Sequence, residues 1–167
     1  MVKISRKIFS KWVSLIFSVF IFGLLSSSVC AQALPEGFVY VTDVIPDARL
    51  AMIFYSEHNF TGGRVDGYHA EKAILTTEAA EALKKANEIF YEKGYEIKII
   101  DAYRPQSAVN HFIRWAKDID DDRMQKYFYP NIDKCDLFKL GYIAEKSTHS
   151  RGSTVDLTLV NLGGGRG

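Results

Sequence analysis

Cysteine is almost absent from this chain: Cys30 and Cys135 are the only two in 167 residues. That excludes a disulfide framework and a cysteine-based zinc site, which need several thiols at set spacings. Proline is scarce too, with four residues, and no Pro- or Ser-rich linker or internal repeat divides the chain beyond its first thirty-odd positions. That leaves room for one domain. Neither sign of charge dominates. A net charge of +1 without a basic stripe gives no footprint for a nucleic-acid partner. What remains is ordinary for a globular protein: 47% hydrophobic, 25% charged and 13% aromatic residues. Such a composition excludes a disordered or low-complexity chain.

Long apolar runs are also missing, with one exception near the start. Lys3, Arg6, Lys7 and Lys11 precede an apolar stretch from Trp12 to about Leu25, and small residues follow, ending Ala31-Gln32-Ala33. Basic start, apolar middle and A-x-A finish are the pattern of a secretory signal peptide. The run is shorter than the ~20 residues that span a bilayer, which favours cleavage after Ala33 over a retained anchor. The expectation is residues 1–33 as signal and 34–167 as the working domain. The protein is then exported, periplasmic or secreted, with no stable membrane partner after cleavage. Losing four basic residues moves the formal charge from +1 to about −3. Cys135 is then alone, and its expected role is that of a small buried hydrophobe.

Periodicity outlines the domain. The stretch "EGFVYVTDVIPDARLAMIFYSEHNFTGG" alternates short apolar runs with turn residues, which predicts short strands and loops. The clearest helix is "TTEAAEALKKANEIFYEKG", capped by Thr76 or Thr77 and stopped at Gly94, with Ala79, Ala82, Leu83, Ala86, Ile89 and Phe90 as its apolar face. "YEIKII" alternates as a half-buried strand. Pro105 then keeps Arg104 extended, at a corner before a helix that starts near Ser107 and turns Ala108, Phe112 and Trp115 inward. Loops and an acidic cluster, Asp118 to Asp122, lead to a final strand, "STVDLTLV". Helices segregated from several short strands predict an α+β fold, a small antiparallel sheet with helices packed on it.

In "KSTHSRGSTVDLTLV", His149 enters the last strand through a Gly152 turn, and Asp156 projects from the strand's polar face. An imidazole and a carboxylate suit zinc, but the same spacing also fits a surface loop running into a strand. The residues around them narrow the choice. Ser147-x-His149-x-x-Gly152-x-x-x-Asp156 resembles the zinc motif of the D-Ala-D-Ala dipeptidases, the vancomycin-resistance type of zinc peptidase. "NFTGGRVDGY", "ILTTEAAEALKKA", "DAYRPQSAVNHFIRW" and "DLFKLGYIAEKSTHSRGSTVDLTLV" resemble that family in its own order, from about Asp43 to Val160.

The resemblance implies one zinc ion held by His149 and Asp156, and a small dipeptide substrate, D-alanyl-D-alanine. It implies that Arg104 stabilises charge developing during peptide hydrolysis, and that Ser147 lies beside the zinc and helps to hold the substrate. It also implies a later Glu-x-x-His pair that supplies the general base and the third ligand. After Asp156 the sequence reads only "LTLVNLGGGRG", with neither residue type. The expectation is a C-terminally incomplete dipeptidase domain lacking its last strands. Two further readings are a zinc D-Ala-D-Ala carboxypeptidase and an inactive module that binds wall peptides. His58, His69 and His111 carry no pattern that would aim them at the zinc.

Overall fold

A polar side chain on the buried face of a strand organises this fold. In the computed structural model, which describes residues 33–163, strand β4 (Tyr95–Asp101) runs through the middle of a three-stranded sheet. Its alternation puts Ile97 and Ile99 fully inside, and the same parity carries Asp101 inward, with no exposed surface. Two earlier strands are β1 (Phe38–Tyr40) and the two-residue β2 (Arg49–Leu50). They flank the short helix α1 (Val41–Val44), which forms where only strands and loops were expected. β3 (Ile74–Thr76) pairs antiparallel with β1 in a separate two-stranded sheet.

β5 (Asp156–Asn161) pairs antiparallel with β4, and β2 pairs with β4 in parallel. The α+β expectation holds. The sheet is mixed, however, because the chain between β2 and β4 crosses over through β3 and helix α2, the connection a parallel pair requires. Among the described residues β5 lies at the sheet's edge, and Leu159 is 38% exposed there.

Helix α2 (Thr77–Glu92) starts where Thr76 accepts a hydrogen bond from the Ala79 amide, and Gly94 ends the segment at φ 85°. Its buried residues are Ala80 and Leu83, with Ala79 and Phe90 beside them. Ile89 is 53% exposed and Ala82 is exposed, so the buried face is rotated from the expected one. Helix α3 (Gln106–Lys117) begins one residue before Ser107 and buries Ala108, Phe112 and Trp115 as expected. Phe112 and Trp115 pack on Phe60, with ring centroids 4.9 and 5.0 Å away.

Phe60 is delivered by a turn built on Asn59, which is fully buried. The Asn59 amide nitrogen donates to the carbonyls of Ile53, Ser56 and Gly63, and its Oδ1 accepts from the backbone and hydroxyl of Thr61. A buried amide with every partner supplied fixes the local backbone.

The segment after α3 holds one short helix, α4 (Gln125–Phe128), and a single-turn helix at Lys134–Asp136. Cys135 is exposed there, contrary to the expected buried position. Its neighbour Lys134 takes the inward place. The Lys134 ammonium donates to the carbonyls of Asp118 and Asp121 at 2.5 and 2.7 Å and sits 4.0 Å from the Trp115 ring centroid. Burial pushes the Lys134 pKa down, and the facing aspartates oppose it. In a one-turn helix the adjacent residue must then point outward. The signal-peptide expectation lies outside the described residues but for Ala33. Among those residues, no helix is long and apolar enough to cross a membrane.

Candidate metal centre

Residues 102–104 run between β3 and the turn that carries His149. Tyr103 donates its amide to the Ile74 carbonyl (2.9 Å), and Arg104 donates its amide to the His149 carbonyl (3.3 Å). The His149 turn is a single-turn helix, Thr148–Arg151, whose first amides are capped by Ser147: its Oγ accepts from the His149 amide at 3.3 Å. The turn ends on Gly152 in the left-handed conformation, φ 76°. The Gly152 carbonyl then accepts the Thr76 amide at 2.8 Å, tying the motif to the two-stranded β1–β3 sheet.

Gly152 is required on two counts. A side chain at this φ is strained, and a Cβ would stand 2.4 Å from Cε1 of Phe38. The backbone strain costs about 1–2 kcal/mol and the overpacking about 1–3 kcal/mol. Gly152→Ala is therefore expected to destabilise the domain by about 2–5 kcal/mol in denaturant unfolding, with the His149 turn displaced. An unchanged midpoint would mean that this turn is not seated against Phe38.

His149 is buried, and its Nδ1 lies 2.9 Å from the Ala102 carbonyl. A carbonyl only accepts, so Nδ1 carries a hydrogen, and in the neutral ring that leaves the lone pair on Nε2. Nε2 faces Asp156, with Oδ2 at 3.5 Å. Two donors on a tetrahedral zinc, each about 2.0–2.1 Å from it, would stand about 3.3–3.4 Å apart. One neutral imidazole nitrogen with its other nitrogen committed to a carbonyl, and one half-exposed carboxylate at that separation, fit a zinc ion.

A register irregularity brings the carboxylate here. Opposite β5, Ile99 pairs with Leu157 but Asp101 pairs with Asp156, leaving Ile100 as an extra residue on β4. Without that bulge Asp156 would face Ile100, one step out of phase with Asp101. Single ligand atoms of Asp101, His149 and Asp156 consequently lie within 4.8 Å of one another.

Asp101 was not among the expected site residues, and it does not belong with the ligands. Its Oδ2 accepts from Arg104 Nε and Nη2 at 2.9 and 2.7 Å, and its Oδ1 accepts from the Tyr68 hydroxyl at 2.7 Å. It faces His149 on the wrong nitrogen, Nδ1, at 3.7 Å. One imidazole nitrogen binds a metal while the other makes an outer hydrogen bond, so Asp101 lies on the outer side. Burial raises the Asp101 pKa, and the Arg104 charge and the Tyr68 hydroxyl oppose it. Burial and the Asp101 charge likewise push the Tyr68 phenol far up, so it stays a donor.

Arg104 is placed as the sequence implied, at an extended corner before α3, with Pro105 as the N-cap. Its guanidinium lies 5.2 and 5.4 Å from the ring centroids of Phe54 and Phe112, which exclude water behind it. Nη2 reaches Asp156 Oδ2 at 3.6 Å and Nη1 reaches Ser147 Oγ at 3.5 Å. The four residues expected to form a site, Arg104, Ser147, His149 and Asp156, thus converge. The other histidines stay apart: His58 packs on Phe128 and His111 pairs with Asp66, while His69 is exposed.

Residues 35–166 match a peptidase family described as D-ala-D-ala dipeptidase. A D-alanyl-D-alanine dipeptidase of Enterococcus faecium is 40% identical over 126 residues, covering 75% of this chain and 62% of that relative. One from Enterococcus faecalis is 40% identical over 127 residues, 76% of this chain and 63% of the relative. One from Streptomyces coelicolor is 40% identical over 125 residues, 75% and 62%. The chain spans under two thirds of the length of these relatives.

Proposed function

The chain belongs to the D-ala-D-ala dipeptidase family of peptidases, and from that premise we propose that it serves the zinc-dependent hydrolysis of the D-alanyl-D-alanine dipeptide. The observation that carries this reading is the 3.5 Å approach of His149 Nε2 to Asp156 Oδ2, with the Arg104 guanidinium 3.6 Å from the same carboxylate oxygen. His149 and Asp156 hold the metal. Bound there, zinc supplies Lewis-acid polarisation of the scissile carbonyl and a stronger water nucleophile. Arg104 is always charged, fixed by Asp101 and backed by two rings, so it can pair with negative charge that grows on the carbonyl oxygen. Ser147 already caps the His149 turn, and its hydroxyl beside Arg104 can also accept a donor from the substrate.

A general base and a third ligand complete the reading. The family resemblance puts them in a Glu-x-x-His pair, and residues 157–167 hold no glutamate or histidine. The base is worth about 10²–10⁴-fold in rate. The test is release of free D-alanine from D-alanyl-D-alanine by the 167-residue chain and by the chain joined to a family-type segment carrying Glu-x-x-His. The expected result is negligible turnover by the first and chelator-sensitive turnover by the second. Chelator-sensitive turnover by the first would show that a base and a third ligand lie elsewhere within it. A joined chain that cleaves longer wall peptides ending in D-alanyl-D-alanine and ignores the dipeptide would make it a carboxypeptidase instead.

Export to the periplasm or the exterior belongs to the same proposal, supported by the basic, apolar and A-x-A pattern of residues 1–33. Sequencing the exported protein should give Leu34 at its N-terminus. An intact Met1 in the membrane fraction would replace the signal by an anchor.

A further inference from the structure

Asp101 has no exposed surface, yet its carboxylate meets three other polar side chains. Tyr68 Oη donates to Oδ1, Arg104 donates twice to Oδ2, and His149 Nδ1 lies 3.7 Å from Oδ2. These partners come from three separate parts of the chain: the loop before β3, the corner before α3 and the turn before β5. A buried carboxylate is stable only where its partners are fixed, and fixed partners are held in turn by the carboxylate.

The loop that supplies Tyr68 is itself locked on the Arg104 corner. Gly67 sits at φ 87°, where an added Cβ would stand 2.4 Å from Ser107 Oγ and 2.6 Å from Pro105 Cγ. The Tyr68 ring packs on Phe54, centroids 5.7 Å apart, and Phe54 also lies under the Arg104 guanidinium. The Arg104 fork has one productive orientation if both Nε and Nη2 stay on Asp101: Nη1 then points at Ser147, and Nη2 lies beside Asp156.

We propose that Asp101 is the positioning residue of this centre, holding Arg104 and His149 together, and that the Tyr68 hydroxyl fixes Asp101 for that task. It touches neither metal nor substrate. This rests on the metal reading above only for its effect on affinity. Its effect on Arg104 exists without metal.

Two variants test it. Asp101→Asn keeps the shape and removes the charge, while Tyr68→Phe keeps the ring and removes only the hydroxyl. Two measurements apply to each. In the metal-free protein, nitrogen-15 NMR reads exchange of the Arg104 Nε–H with water. In a competition assay with a chromophoric chelator, zinc affinity is read directly. For Asp101→Asn, Arg104 Nε–H exchange should quicken at least about tenfold, and zinc affinity should fall about 10–100-fold. Tyr68→Phe should shift the same quantities in the same direction by smaller amounts, with the fold retained.

If Asp101→Asn unfolds the chain, Tyr68→Phe alone decides. Unchanged Arg104 exchange in the folded variants would overturn the proposal. So would loss of zinc binding by Asp101→Asn as complete as that of His149→Ala, because Asp101 would then be a ligand. A wild-type chain that binds no zinc would sink the metal reading, and the metal-free spectra would still decide the role of Asp101.

Discussion

His149→Ala is expected to abolish zinc binding by the chain, and Asp156→Ala to do the same. Among the described residues, the chain brings together two groups with a free donor facing the same space, His149 Nε2 and Asp156 Oδ2. Altering an outer partner of a ligand typically lowers metal affinity about 10–100-fold, and removing one of two ligands must cost more. The wild-type affinity is weak for the same reason, since structural and catalytic zinc sites use three or four protein ligands. Isothermal titration or chelator competition checks this. Tight binding that survives either substitution would remove His149 and Asp156 from the metal. Neither change is expected to unfold the protein. Asp156 is 52% exposed, and His149 loses one bond to Ala102.

In the chain joined to a Glu-x-x-His segment, Arg104→Ala is expected to lower kcat by about 10²–10³-fold and to change KM little. A donor aimed at charge that develops during the reaction is worth that much when removed, and such a partner scarcely exists in the ground state. The substitution has a second effect to be measured alongside. Arg104 is the cationic partner of buried Asp101, and stranding that carboxylate costs about 3–5 kcal/mol. Rates must therefore be taken where circular dichroism shows a folded variant. Arg104→Lys separates the two effects. A lysine keeps a positive charge near Asp101 but cannot donate to it in a fork and reach outward at once. It should recover much of the stability and little of the rate. A folded Arg104→Ala variant with unaltered kcat would remove the arginine from the chemistry.

How much of this was legible beforehand differs from residue to residue. The main helices were visible because each has a cap or a corner with a physical signature: Thr76 before α2, Gly94 after it, and Arg104-Pro105 before α3. Their inner faces were less so. On α2 the small side chains of Ala79, Ala80 and Ala82 leave the phase of the apolar stripe weakly defined, and packing chose Ala80 over Ala82. The two-residue β2 and its parallel pairing were not readable, because two residues carry no period. Nothing in local sequence distinguishes the inward Lys134 from the outward Cys135 either, since the carbonyls that attract the ammonium belong to a loop 13 to 16 residues away.

The site was read from a resemblance. On spacing alone His149 and Asp156 fit a surface loop better than a metal site, and what separates the two readings in the structure is tertiary: the Ala102 carbonyl that fixes the tautomer, and the Ile100 bulge that aligns Asp156. Asp101 was the residue that reasoning passed over. Its signal was available, because continuing the alternation of Ile97 and Ile99 puts a carboxylate on the buried face of a strand, three residues before an arginine. A charge in such a position has to be paired. Tyr68 had no comparable signal, for only the folded chain shows that the loop before β3 reaches the end of β4.

The most direct measurement is anomalous diffraction at the zinc edge from a crystal of the metal-soaked chain. The account predicts one peak about 2.0–2.2 Å from both His149 Nε2 and Asp156 Oδ2, with Asp101 still bound to Tyr68 and Arg104. A zinc peak on the Asp101 carboxylate, or on His58, His69 or His111 with none between His149 and Asp156, would contradict it.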